Sequence, residues 1–132
     1  MTVFVDTSAL FAILDADDHN HSAALGAWTR LLSEQTTLLT HNYILVEAGA
    51  LAQRRLGPAA LRALFEDIQP IFRVEWITES HHRRAVDMAL AAARKKLSLV
   101  DCVSFVVVRE TAADRVFCFD RHFREYGFQT IP

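Results

Sequence analysis

Short β-branched runs alternate with amphipathic stretches along nearly the whole of this 132-residue chain, and that alternation limits the fold more than any other feature. "TVFVD" at residues 2–6 passes at once into "TSALFAILD", where Leu10, Phe11, Ile13 and Leu14 recur at helical spacing. "TTLLT", "IFRVEWI", "DRVFCFD" and "FQTI" read as four more strands. Between them lie helix patterns: one with Leu25, Trp28, Leu31 and Leu32 on its inner side, and one beginning near Asn42 as N-cap and running to Gly57 at C′. Pro58 can open the next helix, with Pro70 at its end, because a first-turn proline loses no helical hydrogen bond. Thr78 caps a long helix over "ESHHRRAVDMALAAARKKL", with Ala85, Met88, Ala89 and Ala92 inward. The valine-rich run from Leu97 to Glu110 is long for a strand and has no Gly, Pro or Asn break, so it reads as a buried helix. "RHFREYG" supplies a short helix or turn before the last strand. Strands joined through helices predict an α/β fold, a three-layer α/β/α sandwich with a mainly parallel sheet, whose sites lie outside the carboxyl ends of the strands.

Length and composition agree with one compact domain over residues 1–132, without repeats, linkers or low-complexity segments. A hydrophobic fraction of 52% with only 4 Gly and 3 Pro excludes a disordered or fibrous chain. The N-terminus has no basic segment before its apolar residues, which argues against a signal peptide. The apolar run 97–108 is too short to span a bilayer, so the expectation is a soluble cytoplasmic protein with no membrane partner. Cys102 and Cys118 have neither metal-ligand nor redox-pair spacing and read as core thiols. A net charge of −2 does not advertise a nucleic-acid binder. Basic residues do cluster locally, in Gln53–Arg55, His81–Arg84, Ala93–Lys96 and Asp120–Arg124, although each cluster alone reads best as a solvated helix face.

Four acids stand out by their setting. Asp6 and Asp120 fall at the carboxyl ends of expected strands, while Glu47 in "ILVEAGAL" and Asp101 in "LVDCVSF" interrupt apolar helical faces. Singly, each has an ordinary explanation as a cap, a surface charge, a helix-dipole partner or a turn former. Together they need a cation, since an ionised carboxylate in an apolar setting gains nothing by being there unless one meets it. Several anionic oxygens, with no histidine or cysteine among them, suit a hard ion such as Mg²⁺ or Mn²⁺. Magnesium is commonly held through a few carboxylates and a substrate phosphate, which points to phosphate chemistry. Residue chemistry alone leaves a structural ion-pair network open beside this divalent site.

"FVDTSAL" with Asp6, "VEAGAL" with Glu47, "LSLVDCVSF" with Asp101 and "FCFDRHF" with Asp120 together resemble a PIN domain. More narrowly, the chain resembles the VapC toxins of bacterial type II toxin–antitoxin pairs, over nearly its whole length. The resemblance implies a PIN-like nuclease fold, a Mg²⁺- or Mn²⁺-dependent endoribonuclease cutting RNA by metal-activated water, a cognate VapB-type antitoxin and a homodimer. By position it makes Asp6, Glu47, Asp101 and Asp120 the acidic catalytic and metal-site residues, with Asp6 and Asp101 the first candidates for direct ligation. The hydroxyl that follows the first acid in the family motif corresponds to Thr7 or Ser8, which support a ligand or water. Some relatives carry a further acid after the third or fourth position, where this chain has Cys102 and Arg121. Products with 3′-hydroxyl and 5′-phosphate ends are also implied. The helical hairpin from Asn42 to Gln69 corresponds to a region that helps form the antitoxin groove.

The competing reading is a non-catalytic signalling or protein-binding module of α/β fold with an acidic pocket, such as a phospho-accepting receiver-like domain. That module wants a lysine at the end of a late strand, where this chain has Asp120 and Arg121. The adjacent "HNH" at residues 19–21 lacks the spread of the nuclease motif named for those letters, so His19 and His21 belong to a polar helix entry. "HHRR" reads as an exposed first turn, and His122 as a surface or phosphate-facing residue. Phe4, Phe11, Trp28, Phe65, Phe105 and Phe117 have core-like spacing, leaving Tyr43, Phe72 and Trp76 to line a partner surface.

Overall fold

A computed structural model describes residues 1–132. Five short strands, β1 (Thr2–Val5), β2 (Thr37–His41), β3 (Arg73–Glu75), β4 (Arg115–Phe117) and β5 (Thr130–Ile131), form one sheet in the order β3-β2-β1-β4-β5. Every pairing is parallel, so the sheet expected to be mainly parallel is wholly so. The connecting helices are α1 (Thr7–Leu14), α2 (His21–Ser33), α3 (Asn42–Leu56), α4 (Pro58–Arg62), α5 (Glu79–Ala92), α6 (Leu99–Thr111) and α7 (His122–Glu125). The chain runs outward from β1 to β3, then returns to the other side of β1. Right-handed crossovers therefore put α1–α4 on one face and α5–α7 on the other. Contacts among α1, α2, α3 and α4, and separately between α5 and α6, agree with the three layers. Strand order reverses between β1 and β4, which opens a crevice beyond their carboxyl ends.

The core lies on both faces of the central strands. Val3, Phe4, Val5, Leu39 and Phe117 are fully buried, each side chain contributing roughly 1.5–3 kcal/mol. Phe105 of α6 meets Phe123 of α7 edge-on at 5.2 Å and stacks near Phe128 at 5.4 Å, fixing α6 and α7 over the same half of the sheet. The two cysteines are free and buried. No helix is long and apolar enough to cross a membrane.

Tertiary packing overrides several local expectations. In α2 the buried stripe is Ala24, Ala27, Trp28 and Leu31, while Leu25 and Leu32 are exposed, because the contact with α1 takes the stripe with small residues. The N-cap of α3 is His41, whose Nδ1 accepts from the Ile44 amide at 3.2 Å. Asn42 instead accepts from the Ile77 amide at 2.7 Å, tying α3 to the segment after β3. After α4 the chain continues as a π-helical stretch (Ala63–Ile68) and a 3-10 turn (Gln69–Ile71) that contains Pro70. Phe65 is 39% exposed and lies over Gly49, where a Cβ would come within 3.0 Å of its ring; Phe72 is buried beside Trp28. Helix α5 stops at Ala92, because Ala93 takes a left-handed conformation (φ 49°) that turns residues 93–98 into a loop. His81 is buried rather than exposed: its Nδ1 accepts from the Thr78 amide, and its Nε2 lies 2.9 Å from Glu110 of α6.

Candidate active site

Asp6 follows β1 directly and caps α1. Its Oδ2 accepts from the Ser8 hydroxyl at 2.7 Å and the Ser8 amide at 3.2 Å. The same hydroxyl accepts from the Phe119 amide at 2.9 Å. Ser8 thus bolts the α1 N-terminus to the segment leaving β4, and with it the two strand ends that carry Asp6 and Asp120. Asp120 closes a turn of its own, accepting from the His122 amide at 2.9 Å.

Asp101 sits in the first turn of α6 because Ser98, after the loop that Ala93 opens, caps the new helix. Ser98 Oγ accepts from the Asp101 amide at 3.0 Å and Asp101 Oδ2 accepts from the Ser98 amide at 3.1 Å, a reciprocal capping box. An acid here also meets the positive end of the helix dipole. Glu47 projects from the middle of α3, half-buried, and belongs to none of the chain's ion pairs.

These four acids come from four separate segments and line one cavity of about 300 Å³, together with Thr7 and Ser8. Lys96 and Ser98 complete its wall, which has no apolar residue. Two of the carboxyls, Asp6 and Asp101, have their proton affinity raised. Burial pushes the Asp6 carboxyl up to about 7, against the pull of the Ser8 hydroxyl, and the charges of Asp101 and Asp120 add to the rise. Burial likewise raises Asp101, with Asp120 adding to it and the Ser98 amide and His122 opposing. Nearby, burial holds the Cys118 thiol up at about 12, so it is an inert neighbour.

One further member of the group, read from sequence only as a surface or phosphate-facing residue, is His122. His122 Nδ1 lies 3.2 Å from Asp101 Oδ2 and 3.0 Å from Asp120 Oδ1, its side chain almost buried between them. Ligand atoms of Asp101, Asp120 and His122 all fall within 4.8 Å of one another. The donor set expected to be purely carboxylate therefore has an imidazole at its edge. The Asp120–His122 spacing offered a turn signal, but nothing local connects His122 to an acid 21 residues earlier.

The site fits a hard divalent cation on two grounds. Three of its carboxylates, Asp6, Asp101 and Asp120, repel one another in a confined space, a cost that a cation removes. In addition, the buried Thr7 Oγ1 has no hydrogen-bond partner, which is unusual for a buried hydroxyl, and Thr7 is one of the residues that line the cavity. Oxygen donors of this kind suit Mg²⁺ or Mn²⁺.

The family model of the PIN domain matches residues 3–129. The chain belongs to the PIN-domain family. This PIN domain is 32% identical over 130 residues to the 23S rRNA-specific endonuclease VapC20 of Mycobacterium tuberculosis, found in two strains, with 98% of this chain and 97% of the relative covered. It superposes on the crystal structure of M. tuberculosis VapC20, a sarcin–ricin loop cleaving toxin, with a TM-score of 0.82 and 30% identity, covering 96% and 95% of the two chains. FitAcB from Neisseria gonorrhoeae shares the fold alone, with a TM-score of 0.71 at 14% identity over 98% and 96% of the chains. The receiver-like alternative gives way to this family assignment.

Proposed function

We propose that this PIN domain, acting as one unit over residues 1–132, is the toxin of a type II toxin–antitoxin pair and an endoribonuclease that uses Mg²⁺ or Mn²⁺. The observation that carries the reading is the convergence of Asp6, Glu47, Asp101 and Asp120 on one cavity with the unpartnered Thr7 hydroxyl. Near-full-length similarity to VapC20 supports 23S rRNA as the substrate, at the sarcin–ricin loop which that relative cleaves.

In this reading Asp6 and Asp101 hold the cation directly, and Glu47 and Asp120 hold it directly or through water. A cation held by these residues would supply Lewis-acid polarisation of phosphate oxygens and a lowered pKa for a nucleophilic water. Ser8 keeps the Asp6 oxygen aimed by donating to Oδ2, and Ser98 does the same for Asp101 through its amide. His122 fixes Asp101 and Asp120 relative to each other from Nδ1. Hydrolysis leaves a 5′-phosphate and a 3′-hydroxyl.

A homodimer, a VapB-type antitoxin and a cytoplasmic location complete the proposal. An apolar groove of about 350 Å³ beside the site, lined by Tyr43, Val46 and Val100, supports protein contact there, as does the exposed Trp76.

The test compares wild type with Asp101→Asn on total cellular RNA and on ribosomes, with Mg²⁺, with Mn²⁺ and with chelator. Wild type should release discrete 23S rRNA fragments bearing 5′-phosphates, and both chelator and the substitution should reduce the rate at least about 100-fold. Equal cutting by a folded Asp101→Asn protein removes this residue from the chemistry. Absence of cutting by wild type under either metal defeats the nuclease reading.

A further inference from the structure

RNA brings negative charge to a cavity already lined with four acids, in a chain whose net charge is −2. A bound divalent ion answers part of that repulsion, but the strand must also be held against the protein on either side of the reacting phosphate. Phosphate contacts from lysine and arginine are the usual means.

Only one basic residue lines the cavity, and it is Lys96. It takes part in none of the chain's ion pairs, although it stands at the wall of an acidic site. Two exposed arginines, Arg94 and Arg121, are already engaged. Arg94 bonds Glu125 at 3.1 Å and reaches the Tyr126 hydroxyl at 3.4 Å, and Arg121 lies 3.5 Å from the same glutamate.

The backbone that carries Lys96 is held in place from both sides. Arg94 anchors the loop to α7 and the following segment, while Leu97 is buried and its amide closes a turn onto the Arg94 carbonyl at 3.2 Å. Ser98 then begins the capping box that positions Asp101. Lys96 is thus five residues from a site acid, on a fixed loop, with an ammonium left unpaired. The adjoining groove beyond Glu47 offers no such group: Tyr43, Val46 and Val100 line it, with Asn42.

We propose that Lys96 is a substrate-contacting residue of the nuclease site, its ammonium binding a non-bridging phosphate oxygen of the RNA backbone at the cavity wall. The strand's backbone then passes the cavity on the wall that Lys96 forms. The inference rests on the ribonuclease reading and adds the residue that recognises the backbone. Lys95, adjacent and equally charged but absent from the cavity lining, is the internal control.

The experiment measures steady-state cleavage of a single-stranded RNA oligonucleotide carrying the wild-type cleavage sequence, with Mn²⁺, across a range of KCl concentrations. Wild type, Lys96→Ala, Lys96→Arg and Lys95→Ala are compared after each is shown to fold. Lys96→Ala should raise KM about fivefold to tenfold with kcat within about twofold, and should lower the slope of log(kcat/KM) against log[KCl] by about 0.7, the loss of one single-strand phosphate contact. Lys96→Arg should restore both readouts, and Lys95→Ala should change KM less than about twofold. RNA affinity measured by anisotropy in the non-cleaving Asp101→Asn background should fall by the same factor on adding Lys96→Ala. If Lys96→Ala and Lys95→Ala behave alike while wild type cuts normally, Lys96 is only a surface charge and the inference fails alone. If wild type neither binds nor cuts RNA, the nuclease reading fails and the inference falls with it.

Discussion

Thr7 and Ser8 are neighbours with hydroxyls at the same cavity, yet their substitution should have opposite consequences. Ser8 Oγ makes two hydrogen bonds, to Asp6 and from the Phe119 amide, and the second holds β4's exit against α1. Ser8→Ala leaves that amide without its partner and should cost about 1–3 kcal/mol in urea denaturation. Thr7 Oγ1 has nothing to lose. Thr7→Val keeps the shape and should leave stability within about 0.5 kcal/mol, while weakening Mn²⁺ binding measured by calorimetry. A large stability loss in Thr7→Val would mean that the hydroxyl serves the fold instead. Asp101→Asn keeps an oxygen able to accept from the Ser98 amide, which is why it can separate chemistry from folding.

At the scale of elements, α3 begins on a histidine. His41 is fully buried, with Nδ1 capping the helix and Nε2 donating to Ser104 Oγ of α6 at 2.9 Å, so both nitrogens are used only in the neutral ring. Burial holds its pKa down at about 3, with the neighbouring His81 pushing the same way. The unfolded chain titrates near 6.5, so below that pH it binds a proton that the folded state refuses. Stability is therefore lost as pH falls from about 6.5 towards 3. Between pH 7 and 5.5 the loss from this residue should be about 1.3 kcal/mol. His41→Asn, which keeps a cap acceptor, should lower absolute stability but flatten this pH dependence by that amount in urea titrations. Parallel curves for the two proteins would show that His41 does not govern the transition.

For the whole molecule, the folding of an acidic site is linked to pH and to cation together. The Asp6 carboxyl rises to about 7 in the fold against 3.8 in the unfolded chain. Between those values the folded state holds the extra proton, so without metal this residue costs stability as pH rises through the window. A divalent cation needs the same carboxylates deprotonated and removes the cost. Adding Mn²⁺ should therefore raise Tm more at pH 8 than at pH 5.5, each against a chelator control. The cation-dependent shift is the readout, because His41 changes the absolute Tm in the opposite sense. An equal shift at both pH values, or none, counts against a cation at these acids.

Much of this molecule was legible from order and spacing. A parallel sheet follows from short β-branched runs separated by helix-length segments, since parallel neighbours require crossovers. The four acids were visible because carboxylates are costly beside valine and leucine, and because two fall at strand ends where the backbone exposes them. Tertiary structure alone decided that Asp6, Glu47, Asp101 and Asp120 share one cavity, since strand order and the turn at Ala93 bring segments about a hundred residues apart together. It also decided which histidines matter. His81 read as part of an exposed first turn, His122 as a surface or phosphate-facing residue, and His41 drew no reading at all, yet each is fixed by a partner on a distant element. Local sequence encodes periodicity and caps, whereas burial and charge pairing depend on what the fold places opposite each side chain.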